Sequence, residues 1–266
     1  MHTITPIFLA LAFCLMGVTA CQAKPNKHNN SSSIVPVDSG NATVASEQPD
    51  TSAFTEWKAG TVVTPQAIET YGESRCFVAE QVRKAVFARM KGKSYKHNCT
   101  IPLSELRYVK VIHCNAEGKP QLGELVCNRR IAADLVDIFR NLYRAHYRIE
   151  RMVLIDDYDA QDEQSMLANN TACFNFRTIS GTNKLSNHSQ GCAIDINPLY
   201  NPYVWRDKSG RCHIDPSAAA PYADRSKKFA YKIDTSDLCY REFIRHGFQW
   251  GGSWQRRKDY QHFEKK

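Results

Sequence analysis

A histidine and an aspartate lie seven residues apart in the segment SNHSQGCAID, at positions His188 and Asp195. Imidazole nitrogens and carboxylate oxygens are metal ligands. The apolar-polar-apolar stretch over 193–196 predicts a strand that presents Asp195 on one face, with Ile194 and Ile196 on the other. Gly191 lies between the two candidates and permits a sharp turn, so both side chains could converge on one ion. On these residues alone, a purely structural turn remains an open alternative.

A second group of candidate residues lies near the C-terminus, in the segment DYQHFE. His262 alternates with Gln261 and Phe263 as on a strand, and Asp259 lies just before it. A third ligand and a free carboxylate would complete a catalytic zinc site, which has three protein ligands, one open position for water and a base. Taken alone, this segment would not indicate a metal site.

Taken together, the motifs SxHxxGxAxD, WGGxW and DxxHF closely resemble the zinc D-alanyl-D-alanine carboxypeptidases of the VanY type. These peptidases share a fold with Hedgehog signalling domains. The segments NNT, FNFR and INPLYNPYV, which begin at positions 169, 174 and 196, are similar to the same group. The resemblance covers about residues 85–264. It implies one Zn²⁺ per chain and hydrolysis of peptidoglycan stem peptides.

The resemblance also implies a role for individual residues. The implied zinc ligands are His188, Asp195 and His262. Asp259 matches the general base, and Arg177 matches the arginine that binds substrate and steadies the scissile carbonyl. Ser186 matches a serine that contacts substrate.

Two positions depart from the common pattern of the family. Ser253 stands where an acidic residue is common, and Phe176 stands where a cysteine is common. Because neither is an implied ligand or base, the departures bear on substrate specificity rather than on catalysis. Two other functions stay open: an endopeptidase for L-alanyl-D-glutamate or cross-link bonds of peptidoglycan, and a noncatalytic cell-wall-binding lipoprotein.

The elements that must position these residues follow from hydrophobic periodicity. We predict helices over 76–90, 132–147 and 237–246, and strands over 106–114 and 149–155. Thr235 or Ser236 would cap the last helix and Gly247 would end it. Helices and strands mix without strict alternation, which favours an α+β domain. The resemblance implies a small antiparallel sheet that carries the zinc site between flanking helices.

The N-terminal region differs in composition from the rest of the chain. The apolar run over 7–16 is shorter than the ~20 residues that span a bilayer, so it is typical of a signal peptide. The letters VTAC at 18–21 resemble a bacterial lipobox, which implies a signal peptide over 1–20 and lipidation of Cys21. A plain secretory signal, cut after Ala20 or Ala23, is the alternative. We predict a disordered tether over 21–56 and a peptidase domain over 57–266.

Composition excludes several classes of protein. The 266 residues carry 35 Lys+Arg and 27 Asp+Glu, and no recognised nucleic-acid motif accompanies the net charge of +8. An anionic cell envelope is the more natural partner, and the membrane would be reached through the lipid anchor.

Of the ten cysteines, eight lie beyond Cys21, and export permits disulfides among them without fixing the pairing. The acidic residues over 156–163 form either a Ca²⁺ loop or a solvated turn, and the turn is favoured.

Overall fold

The computed structural model describes residues 49–179 and 182–266. The predicted signal peptide, the lipidated Cys21 and most of the predicted tether lie outside the described residues. Within the described part of the chain, no helix has the length and apolar character needed to cross a membrane.

The described residues form an α+β arrangement, as predicted. The α-helices are α1 (Ser52–Glu56), α2 (Pro65–Tyr71), α3 (Lys84–Met90), α4 (Arg129–Arg144), α5 (Asp162–Leu167) and α6 (Leu238–Arg245). The strands are β1 (Val78–Gln81), β2 (Leu106–Cys114), β3 (Pro120–Asn128), β4 (Ala193–Asp195), β5 (Tyr203–Arg206), β6 (Cys212–Asp215), β7 (Gln249–Trp250), β8 (Arg257–Asp259) and β9 (His262–Glu264). They form three antiparallel sheets in the orders β1-β2-β3, β4-β9-β7 and β6-β5-β8.

The β1-β2-β3 sheet, which has the longest strands, and helix α4 build the main core. Strand β2 has the predicted bounds, and α4 begins and ends three residues earlier than the predicted 132–147. Its apolar stripe is buried as predicted, with Leu135, Ile138 and Leu142 at most 1% exposed. Each such side chain stabilises the fold by about 1.5–3 kcal/mol. Asn128 caps α4, because its side-chain oxygen accepts a hydrogen bond from the Arg130 amide.

The predicted helix over 76–90 is wrong in its first half. Residues Val78–Gln81 instead form β1, which pairs with the open edge of β2, and a helix begins only at Lys84. The apolar spacing fits a helix, but pairing with the long neighbouring strand satisfies the backbone groups of this short segment and overrides the local pattern.

The predicted strand over 149–155 is also wrong, although Ile149, Met152 and Leu154 are buried as a buried strand would be. The segment is extended but joins no sheet. The side-chain amide of Asn170 takes the place of a neighbouring strand, because it accepts from the Val153 amide and donates to the Val153 carbonyl. Isolated backbone hydrogen bonds, from Ile149 to Cys114 and from Glu124 to Met152, act together with the Asn170 side chain, so the segment is buried without a continuous ladder.

The folded part begins before the predicted boundary at residue 57. Helix α1 lies within the predicted tether, and Phe54 is only 2% exposed. Its ring stacks on Tyr71 with the centroids 4.5 Å apart. A single aromatic side chain among polar residues anchors α1. The average composition of the predicted tether does not reveal this contact.

The last helix, α6, forms at nearly the predicted position, but its cap differs. Asp237 accepts a hydrogen bond from the Cys239 amide, so it caps the helix in place of Thr235 or Ser236. Gly247 follows with a φ of 80° and ends the helix as predicted. The eight cysteines of the described residues are all free thiols, so the structure shows no disulfide there.

Candidate metal centre

His188 lies in a single 3₁₀ turn, Asn187–Gln190, that ends at Gly191. Gly191 has a φ of 66°, and a Cβ there would lie 2.7 Å from the backbone nitrogen of Asn128. The close approach allows the Asn128 amide to donate a 2.8 Å hydrogen bond to the Gly191 carbonyl. Glycine is therefore required both for the left-handed conformation and for the contact that seats the turn.

The other two candidate ligands lie on paired strands. Asp195 on β4 is directly opposite His262 on β9, so their side chains project from the same face of that sheet. Both strands form where alternation predicted them. The turn then brings His188 over the same face, and the three candidate ligands come together although 74 residues separate the two histidines.

The ligand atoms are spaced as one small ion requires. His262 Nδ1 lies 3.0 Å from Asp195 Oδ1 and 3.2 Å from His188 Nε2. His188 Nε2 lies 3.3 Å from Asp195 Oδ2. Atoms bound at ~2.0–2.1 Å to a tetrahedral zinc ion are about 3.3 Å apart. One nitrogen from each histidine and one oxygen of Asp195 lie within 4.8 Å of one another, so the three residues can supply the three protein ligands of a zinc site.

The opposite ring nitrogens of both histidines have partners that fix their orientation. His188 Nδ1 donates to the Cys173 carbonyl at 2.6 Å, which leaves Nε2 as the acceptor that faces the cluster. His262 Nε2 lies 3.2 Å from Glu264 Oε2, and the Asn187 side-chain amide also donates to that oxygen. Such partners orient metal-binding histidines and raise their basicity.

The ionisation states of the three candidate ligands favour the binding of a cation. Burial works against ionisation of Asp195, but His188 and His262 hold the pKa of its carboxyl well below the usual range. Burial alone would lower the pKa of His262, but hydrogen bonds with Asp195 and Glu264 raise it to about 10. A metal ion and a proton therefore compete for His262 Nδ1.

Asp259 lies next to the cluster and packs closely against Gly251 of the WGG motif. It ends β8, and a Cβ at Gly251 would lie 2.6 Å from the Asp259 carbonyl oxygen. Its Oδ1 atom is buried and has no hydrogen-bond partner among the described residues. Burial raises the pKa of this carboxyl to about 7, while the charge of His262 acts in the opposite direction. A group of this kind can take up and release a proton near neutral pH.

Arg177 is fixed beside His188 through both its backbone and its side chain. The Arg177 amide donates to Ser189 Oγ at 2.9 Å, and that hydroxyl donates to the Arg177 carbonyl at 2.6 Å. The guanidinium Nε pairs with Asp162 at the start of α5. Asn175 Nδ2 donates to the other Asp162 oxygen at 3.0 Å. We call the cavity lined by Asp162, Asn175, Arg177, His188 and Asp195 the arginine cavity.

Residues 180–265 match the family described as D-alanyl-D-alanine carboxypeptidase. The resemblance to this peptidase family is confirmed. The matched region, called here the carboxypeptidase segment, is less than half of the chain and contains all three candidate ligands and Asp259. The match supports a metallopeptidase that acts on peptidoglycan. Comparisons with curated proteins and with solved structures gave no match.

The remaining predicted positions have distinct surroundings. Ser186 immediately precedes the 3₁₀ turn that contains His188. It is buried, and its Oγ accepts a hydrogen bond from the His188 amide at 3.3 Å. Its contact with substrate stays a prediction. Ser253 is exposed, and Phe176 is buried in a small apolar cluster with Phe174 and Tyr108, so neither departure lies in the ligand group.

Three residues of the site escaped the sequence prediction: Asp162, Asn175 and Glu264. Asp162 belongs to the acidic stretch that was interpreted as a solvated turn, and nothing local distinguishes it from Glu163 beside it. Glu264 could have been found, because a residue two positions after His262 on a strand lies on the same face.

Proposed function

We propose that this protein is a zinc metallopeptidase that hydrolyses peptidoglycan stem peptides as a D-alanyl-D-alanine carboxypeptidase, on a Hedgehog/DD-peptidase-like fold. One observation carries the proposal. His188, Asp195 and His262 converge on one point inside the segment that matches the carboxypeptidase family, with the buried carboxylate of Asp259 nearby. The ligand set, the base and the match to the family all favour the same chemistry.

The donor set fits zinc, which when bound supplies a Lewis acid and lowers the pKa of a bound water to about 7. Asp259 accepts the proton of the attacking water and passes it to the leaving amine, which requires a carboxyl that is ionised in the resting enzyme. A cation held by His188, Asp195 and His262 would favour that ionised form, because an adjacent positive charge lowers the pKa of a carboxyl.

Arg177 supplies fixed donors in this mechanism. Its Nε pairs with Asp162 and its Nη1 donates to the Thr178 carbonyl at 3.5 Å, so Nη2 remains for a substrate carboxylate or for the oxygen that becomes negative as the peptide bond is attacked. A permanent charge beside the ligands suits a substrate that ends in a free carboxylate. This preference favours the carboxypeptidase over the endopeptidase alternative.

We also propose that the protein lies in the bacterial cell envelope. A signal peptide over 1–20 and a lipid on Cys21 would hold the domain near its polymeric substrate through the N-terminal tether. A noncatalytic wall-binding lipoprotein is the competing function. It has no use for a carboxylate beside a ligand cluster whose buried Oδ1 has no hydrogen-bond partner among the described residues, because burying a polar atom in this way is unfavourable.

The test measures bound zinc and the release of D-alanine from a pentapeptide that ends in D-Ala-D-Ala. The full-length protein is compared with the Asp259→Asn variant and with Asp224→Asn, an exposed carboxylate used as a control. We expect one zinc in all three proteins, release of D-alanine by the wild type and the control, and a loss of about 10²–10⁴-fold in Asp259→Asn.

Each other outcome removes a defined part of the proposal. A wild type that holds zinc but leaves the pentapeptide intact is not a carboxypeptidase, and mass analysis of fragments released from purified peptidoglycan then identifies an endopeptidase bond. Release of no fragment by zinc-loaded protein favours the wall-binding lipoprotein. A wild type without zinc overturns the metallopeptidase.

A further inference from the structure

The β6-β5-β8 sheet extends away from Asp259 and takes no part in the ligand cluster. On β8 and β5, Asp259 is directly opposite Tyr203, and Arg257 is directly opposite Trp205. Trp205 is in turn opposite His213 on β6. Residues opposite each other, and residues two apart on one strand, share a face of the sheet. One face therefore carries a continuous row of side chains that begins at the proposed base.

The outer end of this row is a flat aromatic pair. The rings of Trp205 and His213 are stacked with their centroids 4.1 Å apart and an interplanar angle of 11°. His213 Nε2 lies 2.9 Å from Asp207 Oδ2, which holds the imidazole in place. Both rings keep part of their surface in solvent. A rigid aromatic surface of this kind packs well against the apolar face of a sugar ring, because neither partner loses much freedom.

The middle of the row is a cation without a counterion. Arg257 is exposed, and no carboxylate of the described residues lies within 4.0 Å of its guanidinium. Some surface arginines of the domain, such as Arg83 and Arg144, are paired with carboxylates, whereas Arg206 of the same sheet has no carboxylate partner among the described residues either. An unpaired arginine between the proposed base and an aromatic surface complements an anionic ligand that also carries rings.

We propose that this face, defined by Tyr203, Trp205, His213 and Arg257 and called the outer face, binds the peptidoglycan strand beyond the bond that is cleaved. Arg257 pairs with a carboxylate of the stem peptide, and Trp205 with His213 packs against a sugar of the glycan. The inference rests on the proposed function and extends it, because it assigns preference for the polymer to a surface separate from the arginine cavity.

The sheet itself provides a matched control. Arg206 follows Trp205 on β5, so it carries the same charge as Arg257 but projects from the opposite face. It is exposed, and its side chain donates a hydrogen bond to the Gly210 carbonyl of its own hairpin. Arg257→Gln and Arg206→Gln therefore change the net charge by the same amount. They differ in which face of the sheet loses a positive charge.

The experiment measures sedimentation with purified peptidoglycan sacculi. The full-length, zinc-loaded protein carries Asp259→Asn in every sample, so that the polymer is not cut. We expect Arg257→Gln to weaken binding about tenfold and Trp205→Ala to weaken it by a similar factor, while Arg206→Gln stays within about twofold. Unchanged thermal unfolding of both arginine variants shows that the fold is retained.

Equal losses in Arg257→Gln and Arg206→Gln would show attraction by net charge alone and overturn the inference. Unchanged binding in both would overturn it as well. The pentapeptide assay on protein with an intact Asp259 reports separately on the proposed function. If it releases D-alanine while the two arginine variants bind sacculi alike, the outer face is wrong and the peptidase stands. If it releases none while Arg257→Gln alone loses binding, the peptidase is wrong and the polymer surface stands.

Discussion

The ligand cluster and the arginine cavity adjoin each other at His188, yet different kinds of contact hold them. Backbone register sets the ligands, because β4 pairs with β9 and Gly191 hydrogen-bonds to the end of β3. Side chains set the arginine, through its pairing with Asp162 and the support of Asn175. A backbone ladder resists most substitutions, whereas one changed side chain can release a guanidinium. Metal binding and substrate orientation are therefore separable by mutation.

The sharpest test of this separation is Arg177→Ala. The variant loses donors for substrate and for the developing negative charge, but none of the contacts that hold the ligands. We expect unchanged zinc content and a fall in kcat/KM of about 10²–10³-fold. Arg83→Ala, which removes an exposed arginine far along the chain, serves as the control. Near-normal turnover by Arg177→Ala would remove this arginine from the mechanism.

The second prediction concerns Glu264, a side chain that supports the candidate ligand His262. Glu264→Ala removes the partner of His262 Nε2, so the imidazole loses both its orientation and part of its basicity. We expect zinc affinity to fall about 10–100-fold, measured by competition with a chelator. Asn187→Ala, which removes only the donor that supports Glu264, is expected to have a smaller effect. Wild-type affinity in Glu264→Ala would mean that backbone register alone fixes His262.

Asp162→Asn tests whether the arginine cavity depends on one ion pair. We expect a loss of about tenfold in kcat/KM, mostly through KM, with zinc content unchanged. The same change in an Arg177→Ala background is expected to cost nothing more, because Asp162 acts only through that arginine. Glu163→Gln, exposed on the same helical turn, is the control. Additive losses in the double variant would contradict the positioning role.

The last prediction concerns the stability of the large sheet, which supports both regions. Burial lowers the pKa of His113 to about 4, while its Nδ1 donates to the Ile149 carbonyl. Between pH ~6.5 and ~4 the unfolded chain binds this proton and the folded chain does not, so stability is complete above that window and is lost as pH falls.

We expect this histidine to remove about 2 kcal/mol of unfolding free energy between pH ~7 and ~5, measured by urea denaturation. His113→Asn retains a donor near the Nδ1 position and cannot titrate there, so its stability is expected to fall less over the same interval. Identical pH dependence in the two proteins would exclude His113 as the source. Assays of the site are best made above this window.

The sequence predicted the parts of the site that depend on short-range patterns. Alternation placed Asp195 and His262 on strands, and Gly191 marked the turn that presents His188. Asp162 could not be found this way, because its partner Arg177 lies outside the helices and strands and only the tertiary structure brings α5 to it. The wrong helix over 76–90 and the wrong strand over 149–155 share one cause. In both, a distant edge or side chain provided the hydrogen bonds that local periodicity cannot report.

Asn128 has a consequence for how the whole domain responds to its metal. This one residue caps α4, donates from its amide to Gly191 and from its side chain to Gln190. The ligand turn and the principal core helix are thus joined at a single position. Zinc at a hundred times its dissociation constant adds about 2.7 kcal/mol to the folded state. Because Asn128 connects the two, we expect zinc binding to protect the amides of α4 against hydrogen exchange. A chelator would then destabilise the core as well as remove the metal.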